Sequence, residues 1–193
     1  MPVLRRVDVR DAEALADICV RTGDAGADAS VLYPDPQLLA DIFLRPYLHF
    51  EPDWCWGVED GAGLAGYLVA TPDTLAFARR SEPWWQALRR RHPLPDPDDE
   101  RPQARLVRRA HVGVLTELPF IGSHPAHLHV DLLPRMQGQG WGAALMKTLL
   151  DARLGIGVHL AVARQNQRAF RFYERQGFEV LEQTPWGCWM GHS

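Results

Sequence analysis

Three glycines in five positions constrain this chain more than any other feature. Gln137-Gly138-Gln139-Gly140-Trp141-Gly142 lies between a β-rich run, HLHVDLL (127–133), ended by Pro134, and a helical stretch, AALMKTLLDARL (143–154). Glycine lets a backbone turn sharply and approach a ligand closely. The first N–H groups of the helix that follows are unpaired, with the positive end of the helix dipole behind them. Such a start binds a pyrophosphate without many cations. Two better-known glycine loops do not fit. The spacing is G-x-G-x-G rather than G-x-G-x-x-G, no early βαβ unit contains it, and G-x-x-x-x-G-K-[ST] is absent. The plain alternative, a turn without a ligand, loses weight beside the flanking strand and helix and the second motif described below.

The rest of the chain reads as one α/β domain. At 193 residues there is room for one core with an insertion, and 46% hydrophobic against 23% charged residues is globular composition. A short strand is expected at 3–9 and an amphipathic helix over RDAEALADICVRTG, closed by Gly23. A second helix at about 36–49 should be bent or ended by Pro46. WCWGVED (54–60) and GLAGYLVAT (63–71) flank Asp60-Gly61, a hairpin signal. Residues 74–92 and 103–110 read as helices around the exposed loop PLPDPDDERP (93–102). After the glycine loop come a strand at 158–163, a helix at 166–177 stopped by Gly177, and two closing strands. The mixture predicts a central, partly parallel sheet.

The second motif, Asn166-x-x-Ala169-x-x-x-Tyr173-x-x-x-Gly177-Phe178, follows the strand at 158–163, and helical spacing places 166, 169/170 and 173 on one face. Together with Gln137-x-x-Gly140-x-Gly142 it resembles the acetyl-CoA-binding elements of the GNAT superfamily of N-acetyltransferases. The resemblance is specific over about 126–180. A closer one is carried by Phe120-Ile121-Gly122-Ser123, His127-Leu128-His129-Val130-Asp131-x-Leu133-Pro134 and Phe172-Tyr173-x-x-x-Gly177. These segments are similar to the acetyltransferase-like C-terminal domain of O-GlcNAcase. The chain keeps the glycine loop from which that domain departs, as a bacterial-type relative would.

The resemblance implies the GNAT acyl-CoA N-acyltransferase fold over 1–193: an α/β, mostly antiparallel sheet with a splayed parallel central pair, flanked by helices, with a helical and loop insertion at about 74–126. It implies acetyl-CoA as cofactor and transfer of acetyl to a primary amine by direct attack. Val130, Asp131 and Leu132 would meet pantetheine through the strand backbone. Gln137, Gly138, Gln139, Gly140, Trp141, Gly142 and Ala143 would surround the pyrophosphate, Asn166 would bond the pantetheine arm, and Tyr173 would protonate the sulfur as general acid. The base stays open among His127, His129 and Asp131, which alternate on one strand face, and a water-relayed group elsewhere. A β-bulge would be needed to bring the histidines into the family's phase. A buried network that only stiffens the strand is the plain alternative. A catalytically silent acetyl-CoA-binding module with a sensing or protein-interaction role is the competing function.

The remaining features set further expectations. Trp54, Trp56, Trp84 and Trp85 could wall an acceptor pocket, although aromatics at such spacings are more often core. Arg135 could meet a phosphate. The formal net charge of -3 excludes a strongly basic nucleic-acid binder and leans toward a cationic acceptor. The expected partner is a small-molecule or peptide amine, with no nucleic acid and no membrane, in a monomer or homodimer. The cysteines Cys19, Cys55 and Cys188 form no CxxC pair, so no metal is expected, and a reducing cytoplasm is the expected location.

Overall fold

The computed structural model describes residues 1–152 and 155–193. Among these, seven strands form one sheet in the order β1 (Val3–Arg6), β2 (Cys55–Asp60), β3 (Gly63–Thr71), β4 (Ala126–Leu132), β5 (Val158–Ala163), β7 (Gly187–His192), β6 (Glu179–Gln183). Every neighbouring pair is antiparallel except β4 and β5. The parallel pair needs a crossover, and the glycine loop followed by α6 (Trp141–Ala152) supplies it. The expected helix at 143–154 thus starts two residues earlier, and its last two positions, 153–154, lie outside the described residues.

The β4–β5 pair is short. Only Ala126↔Val158 and His127↔His159 are in register, and beyond them the strands part. From Leu128 to Leu132 the β5-facing edge of β4 has no strand partner among the described residues, so its backbone polar groups, apart from the Leu132 carbonyl that takes the Gln137 amide, are available to whatever enters the gap. On its other edge β4 pairs with β3 from Gly66↔Leu132 to Thr71↔His127 without a register shift. The β-bulge envisaged in β4 is therefore absent there, and His127, His129 and Asp131 keep simple alternation on one face.

That face is covered by α1 (Ala12–Thr22), α2 (Gln37–Phe43) and α3 (Arg45–Phe50). Helix α1 buries Leu15, Ala16, Ile18, Cys19 and Val20, the stripe its period predicts. The strand expected at 3–9 ends at Arg6, because Asp8 accepts the Arg10 N–H at 2.9 Å while Asp11 accepts the Asp8 N–H, closing a turn at Val9–Asp11. The helix expected over 36–49 is two helices, broken at Leu44 (φ -133°). Pro46 stands in the first turn of α3, where its missing N–H costs nothing, and so starts a helix rather than ending one. Between β3 and β4 lie α4 (Thr74–Arg91), capped by Asp73, and α5 (Pro102–Val112); Arg108 of α5 ties down the intervening loop through the Asp96 and Asp99 carbonyls at 3.1 and 2.6 Å. Asn166 caps α7 (Gln167–Arg175), its side-chain oxygen accepting the Ala169 N–H at 3.0 Å.

The start of β5 is fixed by a glycine. A Cβ on Gly157 would stand 2.1 Å from the Ser123 carbonyl oxygen, a backbone atom that cannot swing away. Gly157→Ala is expected to cost about 1–3 kcal/mol, as overpacking of a fitted site does. It should lower the thermal midpoint without changing the far-ultraviolet circular dichroism of the folded state. An unchanged midpoint would show that the β4–β5 junction is not tightly fitted.

Candidate active site

The gap between β4 and β5 opens into a groove of about 740 Å³. Its floor is Val130, Asp131 and Leu132 of β4 and Ala161 and Ala163 of β5. Its far wall is Asn166, Ala169 and Tyr173, and its end is Gln137, Gly138, Gly140, Gly142 and Ala143 at the start of α6. Ten of the twelve residues expected at a cofactor line it; Gln139 and Trp141 do not. Gln139 turns back to the Arg135 carbonyl at 2.6 Å.

The three glycines of the loop have different tasks. Gly138 (φ 73°) and Gly140 (φ 86°) need left-handed backbone, and a Cβ on either would meet nothing within 4 Å. Their open side is the groove itself, a cradle that side chains would fill. Gly142 permits close packing instead, since a Cβ there would lie 3.2 Å from Phe172 and 3.3 Å from Leu132. Gln137 is a strut: it donates to the Leu132 carbonyl at 2.6 Å and accepts from Arg168 at 2.5 Å. Arg135, considered for a phosphate, is held by Asp60 at 2.9 Å and the Leu64 carbonyl at 3.2 Å. Arg168 and Arg175 line the groove in its place. Sequence reasoning missed them, although positions 168 and 175 are two helical turns apart and share a face.

Tyr173 is buried, with its ring against Phe172 (5.2 Å between centroids) and Phe178 (5.6 Å). Its hydroxyl has no hydrogen-bond partner among the described residues, and it borders the groove. Burial, helped by the negative charge of Asp131, pushes the phenol above its ordinary value of 10. The proton therefore stays on Oη at any neutral pH.

A second cavity of about 560 Å³ adjoins the groove; Phe43, His129, Ala161 and Trp186 border both. It is walled by Tyr47, Trp85, Trp189 and Arg109, among others. Of the four tryptophans considered, only Trp85 is there; Trp186 and Trp189, from the end of the chain, complete the wall.

The three candidate bases differ sharply. Both ring nitrogens of His127 are engaged, with Tyr47 Oη at 2.7 Å and Thr74 Oγ1 at 2.6 Å. Burial first, then neighbouring His159, holds its pKa well below 6.5. His127 is thus a bonded strut of the core. His129 makes ring contacts with Phe43 (5.3 Å) and Tyr47 (5.4 Å), and burial, followed by the charge of Arg109, lowers it to about 3. Asp131 accepts the Tyr67 hydroxyl at 2.6 Å. Burial lifts its carboxyl to about 6 against the opposing pull of the Tyr67 and Thr22 hydroxyls. Tyr67 was not foreseen; it is fully buried on β3, directly across from Asp131.

The chain is similar to proteins of known structure and function. The family described as "Acetyltransferase (GNAT) domain" matches residues 106–180. The crystal structure of SsHAT is 37% identical with a TM-score of 0.91, covering 100% of this chain and 98% of that one. Protein O-GlcNAcase of Rattus norvegicus is 23% identical over 180 residues, 90% of this chain and 20% of the rat protein. The chain therefore spans about a fifth of the length of that relative. PaiA N-acetyltransferase from Thermoplasma acidophilum, solved in complex with coenzyme A, shares the fold at 14% identity and a TM-score of 0.56, covering 100% of this chain and 98% of that one. The chain belongs to the GNAT superfamily of acetyltransferases.

Proposed function

We propose that the chain is an acetyl-CoA-dependent N-acetyltransferase that holds its cofactor in the groove and its amine acceptor in the adjoining cavity. The observation that carries this reading is the Tyr173 hydroxyl, buried, protonated and without a partner at the edge of the groove. A phenol that only packs would have its hydroxyl satisfied. The fit of the cofactor rests on the cradle at Gly138 and Gly140, the unpaired β4 edge and the positive end of α6. Solved fold relatives with coenzyme A or acetyl-CoA bound support it.

Acetyl-CoA supplies the activated acetyl group. The β4 edge from Leu128 to Leu132 positions the thioester carbonyl and stabilises charge developing on it. Gly138, Gly140 and the first turn of α6 hold the pyrophosphate, with Arg168 and Arg175 adding charge. The Asn166 oxygen is committed to its helix cap, so its amide N–H₂ is the group that faces the pantetheine arm. Tyr173 gives its proton to the leaving sulfur. Asp131, at about 6 and near the junction of the two cavities, is the base candidate suited to neutral pH. His127 has no free nitrogen, and His129 at about 3 is too weak a base. The 74–126 insertion supplies Trp85 and Arg109 to the acceptor cavity, so it is the specificity element of the domain. The three free, buried cysteines suit a reducing cytoplasm, and no described helix is long and apolar enough to cross a membrane.

One observation favours a binding module without turnover: neither strand histidine can act as a base. Two measurements separate the readings. Calorimetry should detect acetyl-CoA binding in the micromolar range, and absence of heat would sink both. Thiol release with any amine would remove the silent module. Gly140→Val should abolish the heat, because its side chain enters the cradle. A β-branched residue at φ 86° also carries backbone strain of about 1–3 kcal/mol. Gly63→Val, equally strained at φ 100° in the β2–β3 turn, is the control and should bind normally. Normal binding by Gly140→Val would remove the pyrophosphate from this helix start.

A further inference from the structure

Arg109 is a cation without a counter-ion. It lines the acceptor cavity from α5, yet it takes part in no ion pair among the described residues, and its one hydrogen bond goes to the neutral Gly113 carbonyl at 2.5 Å. The carboxylates on the helices packed beside α5 are committed elsewhere: Asp41 of α2 to Arg45 and Arg91, Glu82 of α4 to Arg89. Its guanidinium carbon lies 5.7 Å from the Phe43 ring centroid, and His129 lies 5.3 Å from the same ring. Arg109 thus stands at the same ring as His129, which borders the groove. Burial lowers its pKa from the ordinary arginine value and is not offset by any carboxylate. A half-buried charge with no opposite charge beside it is costly and rarely kept without a use. Around it the cavity is aromatic, through Tyr47, Trp85, Trp186 and Trp189, and its volume of about 560 Å³ suits a small molecule rather than an extended chain.

We infer that the acceptor is a small amine with an apolar or aromatic body and an anionic group, a carboxylate or phosphate, that pairs with Arg109. The inference rests on the acetyl-transfer reading and names its substrate class. The overall charge of -3 points the other way, toward a cation, but the charge lining the cavity is what a bound acceptor meets. Guanidinium geometry matches carboxylate and phosphate in a bidentate pair. The aromatic walls hold the body, and the amine is left toward His129 and Asp131. A polyamine or a lysine-rich peptide would bring like charge against Arg109.

The test compares L-phenylalanine, L-phenylalaninamide and phenethylamine by thiol release at saturating acetyl-CoA. The phosphonate analogue of phenylalanine and spermidine complete the panel. The acids are expected to exceed the amide and phenethylamine in kcat/KM by roughly ten- to a hundred-fold, with spermidine lowest. The better of carboxylate and phosphonate identifies the anion. In Arg109→Gln the ratio of acid to amide should fall to near one while the acetyl-CoA Kd is unchanged; Arg109→Lys should keep part of the ratio. A readout independent of turnover is quenching of the wall tryptophans by phenylacetate against phenylacetamide. It should show the same preference for the acid and lose it in Arg109→Gln. Equal binding of acid and amide, a preference for spermidine, or an Arg109→Gln variant that keeps the preference overturns the inference. The fluorescence assay does not need acetyl-CoA, so the failures are distinct: absent acetyl-CoA heat sinks the transferase reading, and absent acid preference sinks this one.

Discussion

Tyr173→Phe is expected to leave acetyl-CoA binding intact and to lower kcat by roughly 10²–10⁴-fold, the usual worth of a positioned proton donor. Phenylalanine keeps the ring contacts with Phe172 and Phe178. It loses no intramolecular hydrogen bond, because Oη has no partner among the described residues. The folded state should be as stable as before, or slightly more so, since a buried hydroxyl without a partner is removed. The loss should fall on kcat at saturating acetyl-CoA and not on KM, the signature of an interaction made only as the reaction proceeds. An unchanged kcat would make Tyr173 a packing residue and assign protonation of the sulfur to another group or to water. A large fall in thermal midpoint would show instead that the hydroxyl is structural.

What could be read from the sequence and what could not divide along a physical line. The glycine loop, the strand at 158–163 and the Asn166 to Phe178 segment are local: their signals lie within a few residues, in spacing, caps and turn chemistry. The groove therefore gathers seven residues singled out from two short motifs and three more from the β4 strand beside them. The second cavity was nearly invisible, because it is assembled from positions far apart in the chain. Phe43, Trp85, Arg109 and Trp186 share no local pattern, and only the tertiary packing, with α5 against α2 and α4, brings them to one cavity. His127 makes the same point: its ring nitrogens are taken by residues 80 and 53 positions away, so a chemically free histidine and a locked one look alike in sequence. Pro46 misled for a different reason. A proline is tolerated in the first turn of a helix and disruptive in its interior, and the break at Leu44 decides between them.

Acid should destabilise this protein, because three histidines, the buried His127 and His159 and the half-buried His129, are held neutral. His127, His129 and His159 all have lowered pKa values, with burial the first cause in each. For His129 the folded value is about 3 against 6.5 when exposed. Between these values the unfolded chain binds a proton that the folded chain does not, so stability falls as the pH is lowered from about 6.5. A histidine that stays wholly neutral in the folded state and is wholly protonated in the unfolded chain contributes a slope of about 1.4 kcal/mol per pH unit. Asp131 acts in the opposite direction. Its folded value of about 6 exceeds the ordinary 3.8, so between pH 6 and 4 the folded state holds the extra proton and gains stability as the pH falls. Three lowered histidines against one raised carboxyl leave a net loss of stability as the pH falls below about 6.5. Urea midpoints measured from pH 7 to 4.5 should fall along this line. His129→Leu should flatten it by one proton. Asp131→Asn should steepen it by one between pH 6 and 4 and, by removing a buried charge while keeping an acceptor for Tyr67, raise stability at pH 7 by about 1–3 kcal/mol. The same substitution should depress thiol release, since the group that destabilises the fold at neutral pH is the one proposed to take the proton from the amine. Midpoints that stay flat from pH 7 to 5 would show that the histidines protonate in the folded state, and the acceptor cavity would then be wetter than its packing implies.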